Sequence, residues 1–192
     1  IRTLIEEGAK ANNITRMIAV LNDHILERLL TLLVEELGPP PLPFCWLVMG
    51  SEGRREQTFM TDQDNALLYA EPKNEAQAEQ AATYFKSLGE KAIDHLIGCG
   101  YPPCPGEIMA SNPKWRQPIT GWRKYFDHWL QKPEPLEVMH STIFFDFRAV
   151  YGDTTLAEEL RQYLAVSLLA PWRAWPGQHR CHARTPRSPP ER

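Results

Sequence analysis

Asp62 and Asp64 flank a single glutamine and follow the pair Gly50-Ser51 across a gap of ten residues. On an extended chain alternate side chains share a face, so the two carboxylates point the same way. Two acids side by side repel, and holding a cation between them is the usual reason to keep such a pair. At the other end of the stretch, glycine and serine allow backbone N–H groups to approach a phosphate closely. A phosphate cradle and a carboxylate pair around one connection point to metal-assisted chemistry on a nucleotide.

The elements around this stretch must be rigid enough to aim it. Phe44-Cys45-Trp46-Leu47-Val48-Met49 precedes it and Ala66-Leu67-Leu68-Tyr69 follows. Apolar runs of this length, separated by turn residues, read as two buried strands. A third central strand is expected over Ile143-Phe144-Phe145-Asp146-Phe147-Arg148. An aspartate inside such a run is costly to bury as an ion without a partner. Arg148, two residues on and on the same face, is one candidate partner; a metal site completed by Asp146 is the other.

Helices fill the intervals. Ile14, Met17, Ile18, Leu21, Ile25, Leu29, Leu32 and Leu33 recur at helical steps and predict a helix over residues 14–37 with one apolar stripe. Asn13 is its expected N-cap, Gly38 and the prolines at 39–41 its stop. Asn22, Asp23 and His24 interrupt its middle and read as a solvated face. The Pro39–Pro43 segment is a stiff connector to the first strand. Asn74 should cap a second helix, to about Ile97, with Ala78, Ala81, Phe85, Leu88, Ala92 and Leu96 inward. Residues 101–118, with five prolines, are irregular, with a short strand expected at Glu107–Ala110. Ser111–Arg116 reads equally as the lining of a base or phosphate pocket and as a surface turn anchored by Trp115. A helix opening at Thr120 turns Trp122, Phe126, Trp129 and Leu130 to the core and ends at Pro133 and Pro135. A last helix over residues 154–169 carries Leu156, Leu160, Leu164 and Leu168. Strand, loop, strand and helix in that order make an α+β or α/β opening rather than a bundle.

Bulk composition narrows the partners. The chain has 192 residues, 43% hydrophobic and 10% aromatic, enough for a real core. A formal charge of −3 makes no electrostatic case for nucleic acid. No apolar run approaches the ~20 residues of a membrane span, and no signal peptide is visible. Cys45, Cys99, Cys104 and Cys181 show no metal-ligand spacing; Cys45 suits a reduced, packed thiol, and a Cys99–Cys104 disulfide is not expected. A reducing cytoplasm is the simplest setting. The chain starts at Ile1 without a methionine and is expected to be a fragment of something longer. From Pro171 the last 22 residues hold five prolines and five arginines but no Leu, Ile, Val, Phe or Met, and are expected to be disordered.

Nucleotidyl transfer needs in-line attack on an α-phosphate while pyrophosphate leaves, and two divalent ions about 4 Å apart stabilise both oxygens. Mg²⁺, or Mn²⁺ in its place, prefers a few carboxylates plus substrate phosphates and water. Asp62, Asp64 and Asp146 would supply the acids, Gly50 and Ser51 the phosphate turn, and Arg54 and Arg55 charge-assisted contacts to the leaving group.

Gly50-Ser51 followed by Asp62-x-Asp64 resembles the signature of the DNA polymerase beta-like nucleotidyltransferase superfamily. More narrowly, Gly50-Ser-Glu-Gly-Arg-Arg-Glu-Gln57 with Thr61-Asp-Gln-Asp-Asn65 resembles a bacterial nucleotidyltransferase family found fused to CBS or cyclic-nucleotide-binding domains. That family is similar to the N-terminal catalytic part of the PII-protein uridylyltransferase. Gly100-Tyr101-Pro102, Cys104-Pro105-Gly106, Met109–Pro113 with Trp115, and Phe144–Arg148 extend the resemblance over residues 10–168. It implies an α+β fold with a small mixed β-sheet flanked by helices. The expected organisation is an N-terminal helical segment (1–38), a nucleotidyltransferase domain (39–153) and the start of a truncated C-terminal helical subdomain (154–170), followed by a disordered tail (171–192) that does not resemble the family's helical continuation. The implied activity is transfer of a nucleoside monophosphate from a nucleoside triphosphate to an acceptor hydroxyl, with a regulatory protein in signal transduction as the expected acceptor. Gly50 and Ser51 match the triphosphate turn and Asp62 and Asp64 the metal-binding acids, while Asp146 matches in strand context only. A nucleotide-sensing or protein-interaction module without turnover is the rival. Both bind nucleotide; only the enzyme releases pyrophosphate.

Overall fold

The computed structural model describes residues 3, 6–58, 62–131 and 143–169. It is an α+β arrangement in which a four-stranded mixed sheet is covered by helices. Strands β1 (Phe44–Val48) and β2 (Asn65–Tyr69) form its centre, antiparallel, with Phe44 opposite Tyr69 and Val48 opposite Asn65. All ten of their residues are buried. Successive strand residues face opposite sides, so the sheet is covered on both. This is why the two runs read as continuous apolar stretches rather than alternating ones.

Helix α1 (Ala11–Leu37) starts at Ala11, so Asn13 lies inside it and Lys10 takes the N-cap. Its core face is Ile18, Ala19, Leu26, Leu30 and Leu33, whereas Met17, Leu21, Ile25 and Leu32 stand 43–49% exposed. The single stripe expected from spacing is two stripes, only one of which meets the domain. Periodicity reports that a helix has apolar sides; the packing partner decides which is used. A short helix α2 (Gly50–Gly53) follows β1 directly. Helix α3 (Glu75–Gly98) begins as expected, with Asn74 Oδ1 accepting from the Gln77 N–H at 2.9 Å, and buries Ala81, Phe85, Leu88, Ala92 and Leu96. It packs against α1, where Lys91 pairs with Glu36 at 2.6 Å.

Two expectations are corrected on the sheet edges. Residues 107–110 have no regular structure, and the strand in this region is β3 (Arg116–Pro118), parallel to β2. Ser111 and Asn112 turn into a 3-10 helix (Pro113–Trp115) anchored by the buried Trp115, whose Nε1 donates to the Glu107 carbonyl at 3.0 Å, and Arg116 passes into β3. The fourth strand, β4 (Arg148–Gly152), begins where the expected strand 143–148 ends. Ile143 and Phe144 are helical, and Phe145 and Asp146 turn. An apolar run establishes burial without establishing backbone conformation. Here burial is achieved by side-chain insertion: the Phe144 ring lies 4.4 Å from Trp115, 5.0 Å from Trp129 and 5.7 Å from Trp122, centroid to centroid. Pairing of the backbone with β1 starts only at Arg148, opposite Val48.

Helix α4 (Ile119–Gln131) supplies the buried Trp122, Phe126 and Trp129 as expected; Pro133 and Pro135 lie outside the described residues. Trp122 Nε1 donates to the Leu67 carbonyl of β2 at 3.1 Å, fastening α4 to the sheet. Helix α5 (Thr154–Leu169) buries Leu156, Leu160 and Leu164 against sheet and α4, while Leu168 is exposed. The expected tail from Pro171 also lies outside the described residues. Cys45, Cys99 and Cys104 are free thiols, so Cys99 and Cys104 are not joined.

Candidate nucleotide and metal site

The β1–β2 ladder continues one step beyond the strands, with the Met49 N–H donating to the Asp64 carbonyl at 2.9 Å. That bond brings the start of α2 beside the acid segment. Gly50 has φ +56°, a left-handed conformation, and a Cβ there would stand 3.2 Å from Asp64 Oδ2. Glycine is therefore needed twice over at this position, for the turn and for the close approach. Gly53 is needed for a different reason: a Cβ would meet the Asp146 carbonyl oxygen at 1.7 Å. The turn holding Asp146 is thus laid directly on α2.

Asp62 and Asp64 precede β2 on extended chain rather than within it. The irregular segment 101–110 runs alongside and fixes them. The Gln63 N–H donates to the Pro102 carbonyl at 3.2 Å, the Asn65 N–H to the Ile108 carbonyl at 3.0 Å, and the Ala110 N–H to Asn65 Oδ1 at 2.8 Å. This lacing delivers Cys104 to the acids. One ligand atom each from Asp62, Asp64 and Cys104 lie within 4.8 Å of one another. Burial raises Asp64 above the usual carboxylate range, the Cys104 hydrogen bond opposes that rise, and Asp62 adds to it. Burial, with the Asp64 carboxylate, pushes the Cys104 thiol up to about 11. A divalent ion held by the two carboxylates would offset the cost of a desolvated carboxylate beside a second acid. The carboxylate pair fits such an ion, while the protonated Cys104 thiol, a soft donor, flanks it.

The remaining residues named from sequence are placed as follows. Ser51 is half-buried in the first turn of α2. Arg54 Nη1 donates to Asp146 Oδ2 and Arg54 Nε to Glu56 Oε2, both at 2.8 Å. Arg55, at φ +59°, stands 3.9 Å from Asp23 Oδ2. Asp146 is half-exposed opposite Arg54 and is not part of the Asp62–Asp64–Cys104 group. Of the two candidate roles for Asp146, the pairing with Arg148 is not formed: Arg148 makes a two-pronged contact with Asp23 at 2.8 and 2.9 Å and also donates to the Glu52 carbonyl at 3.2 Å. Asp146 and Arg148 were expected to share a strand face, but Asp146 sits in a turn before β4, so each finds a partner from another element.

Four residues here are not legible as site residues. Cys104 reaches the acids through hydrogen bonds from a proline-rich segment that has no periodicity. Asn22 and Asp23 read as solvent-facing because their partners are more than thirty residues away, but both face the loop. Asn22 Nδ2 donates to Gln57 Oε1 at 2.7 Å, and the Tyr101 hydroxyl donates to Asn22 Oδ1 at 2.9 Å. Only His24 keeps the exposed place expected of it, 3.4 Å from Glu27. Glu52 is the other unanticipated acid: burial pushes it up to about 8, partly opposed by Arg148, with Asp23 and Asp64 adding to the rise.

Among the described residues, no helix is long and apolar enough to cross a membrane. No curated protein and no solved structure matches the chain. The family model described as "Putative nucleotidyltransferase DUF294" matches residues 1–136, which hold the glycine-serine turn, both acids and Cys104 but not Asp146. The chain belongs to that nucleotidyltransferase family.

Proposed function

We propose that this protein transfers a nucleoside monophosphate from a nucleoside triphosphate to an acceptor hydroxyl in a Mg²⁺- or Mn²⁺-dependent reaction. The observation that carries the reading is the convergence of Asp62, Asp64 and Cys104 beside the glycine turn, Gly50 being 3.2 Å from Asp64 by its would-be Cβ. Asp62 and Asp64 would hold the metal, which supplies charge stabilisation to phosphoryl oxygens when bound. Gly50 and Ser51 orient the β- and γ-phosphates through backbone amides and the Ser51 hydroxyl. Arg54 and Arg55 neutralise charge that develops on the leaving pyrophosphate. The acceptor oxygen bonds to the α-phosphorus, the α–β bridging P–O bond breaks, and the hydroxyl proton passes to a carboxylate. Asp146 is the base in this scheme, or a third acid for the metal, once Arg54 turns from it to the phosphates. An acceptor side chain on a regulatory protein, as in a uridylyltransferase-like reaction, and an upstream CBS or cyclic-nucleotide-binding domain complete the proposal.

The test is to incubate the protein with each α-labelled nucleoside triphosphate, Mg²⁺ or Mn²⁺ and a lysate, beside Asp62→Ala/Asp64→Ala. Label transfer that the double variant lacks is expected. One observation favours a second reading, a nucleotide sensor without turnover: Asp146 is engaged by Arg54 at 2.8 Å. Tight nucleotide binding with no transfer to anything would select the sensor.

A further inference from the structure

Asparagine is a poor residue for the middle of a helix, because its amide competes with the backbone and it costs about 0.7 kcal/mol or less against alanine. Asn22 occupies that position in α1, and both ends of its amide are used. Its Nδ2 donates to Gln57 Oε1 at 2.7 Å and its Oδ1 accepts from the Tyr101 hydroxyl at 2.9 Å. Gln57 is 3% exposed and stands where the chain leaves α2, and it also hydrogen-bonds the Glu52 carboxyl. The Tyr101 carbonyl accepts from Gln63 Nε2 at 3.1 Å, and Gln63, also 3% exposed, is the residue between Asp62 and Asp64. Among the described residues Gln63 Oε1 is buried with no partner, so the side chain is held there through its amide nitrogen. Next to Asn22, Asp23 grips Arg148, which donates to the Glu52 carbonyl within α2. One edge of α1 therefore reaches both limbs of the loop: the limb carrying the glycine-serine turn and the limb carrying the acids.

We propose that Asn22 is a positioning residue that sets the orientation of the Asp62–Asp64 pair through Tyr101 and Gln63. This inference rests on the reading of those acids as a metal site. Groups that orient metal ligands from behind typically matter about 10- to 100-fold in affinity, and residues in one hydrogen-bonded chain are not additive.

The experiment measures Mn²⁺ binding to the nucleotide-free protein by the loss of the free-ion paramagnetic resonance signal. Wild type, Asp62→Ala/Asp64→Ala, Asn22→Ala, Tyr101→Phe, Asn22→Ala/Tyr101→Phe and the exposed control Thr15→Ala are compared. Asn22→Ala and Tyr101→Phe are each expected to weaken Mn²⁺ binding about tenfold, the double variant no further, and Thr15→Ala not at all. Tyr101→Phe removes only a hydroxyl and keeps the test alive if Asn22→Ala fails to fold. Wild-type affinity in a folded Asn22→Ala or Tyr101→Phe, with binding abolished in the double-aspartate variant, overturns the role of Asn22 alone. Losses that multiply in the double variant do the same. Absence of Mn²⁺ binding by wild type removes the metal-site reading and this inference together.

Discussion

Replacing Glu52 by glutamine should stabilise the fold, and by an amount that grows with pH. The carboxyl is packed among Arg148, Asp23, Asp64 and Gln57, and burial pushes it from an ordinary value of 4.5 up to about 8. The folded state thus binds a proton that the unfolded state releases throughout the interval between those values. Stability falls as pH rises wherever the native state holds more protons. The wild type should lose stability from about pH 4.5 and level off above about pH 8. At pH 7 the proton taken up on folding costs about 3 kcal/mol, against under about 1 kcal/mol at pH 5. Glutamine keeps the shape and a hydrogen-bonding oxygen for Gln57 but carries no proton to lose. Urea unfolding of both proteins from pH 5 to 8.5 gives the difference directly, with the titration of other groups common to both. The curves should diverge by roughly 4 kcal/mol between the ends of the range. Parallel curves would refute the reasoning and place the Glu52 carboxyl in contact with solvent or with a full counter-charge.

Gly53→Ala drives a Cβ to 1.7 Å from the Asp146 carbonyl, and a loss of about 3 kcal/mol or more is expected in the same urea assay. Arg148→Ala leaves Asp23, with a side chain 14% exposed, with only the longer 3.9 Å contact to the exposed Arg55; a loss of about 3 kcal/mol is expected, and Asp23→Ala in the same chain should restore part of it in a double-mutant cycle. Asp146→Asn should leave Mn²⁺ affinity within about twofold of wild type and Asp64→Asn should lower it about tenfold or more. Equal losses in those two variants would instead put Asp146 among the metal ligands.

Much of the architecture is legible in the sequence because it depends on local signals. The two central strands are uninterrupted apolar runs, α3 is announced by Asn74 and an alanine-rich stripe, and α4 by aromatics at helical spacing. The acid pair and the glycine-serine turn are legible for the same reason: each is a short motif whose chemistry is local. The phase of α1 is not, because Met17, Leu21, Ile25 and Leu32 have the same periodicity as the residues that face the core. Nor is the backbone of residues 143–148, since a run of phenylalanines is equally buried as a strand or as inserted rings.

By itself, then, the sequence specifies an α+β domain whose central connection carries a glycine-serine turn and an Asp-x-Asp pair, and residue type and spacing suffice for that. Only the tertiary structure decided what surrounds the connection. Cys104 rather than Asp146 stands with the acid pair, Arg54 is tied to Asp146, and Asn22 and Asp23 grip the loop from α1. These are contacts between residues 35 to 125 positions apart. They follow from how the segments 101–110 and 143–148 cross the ends of β1 and β2, which no local pattern encodes.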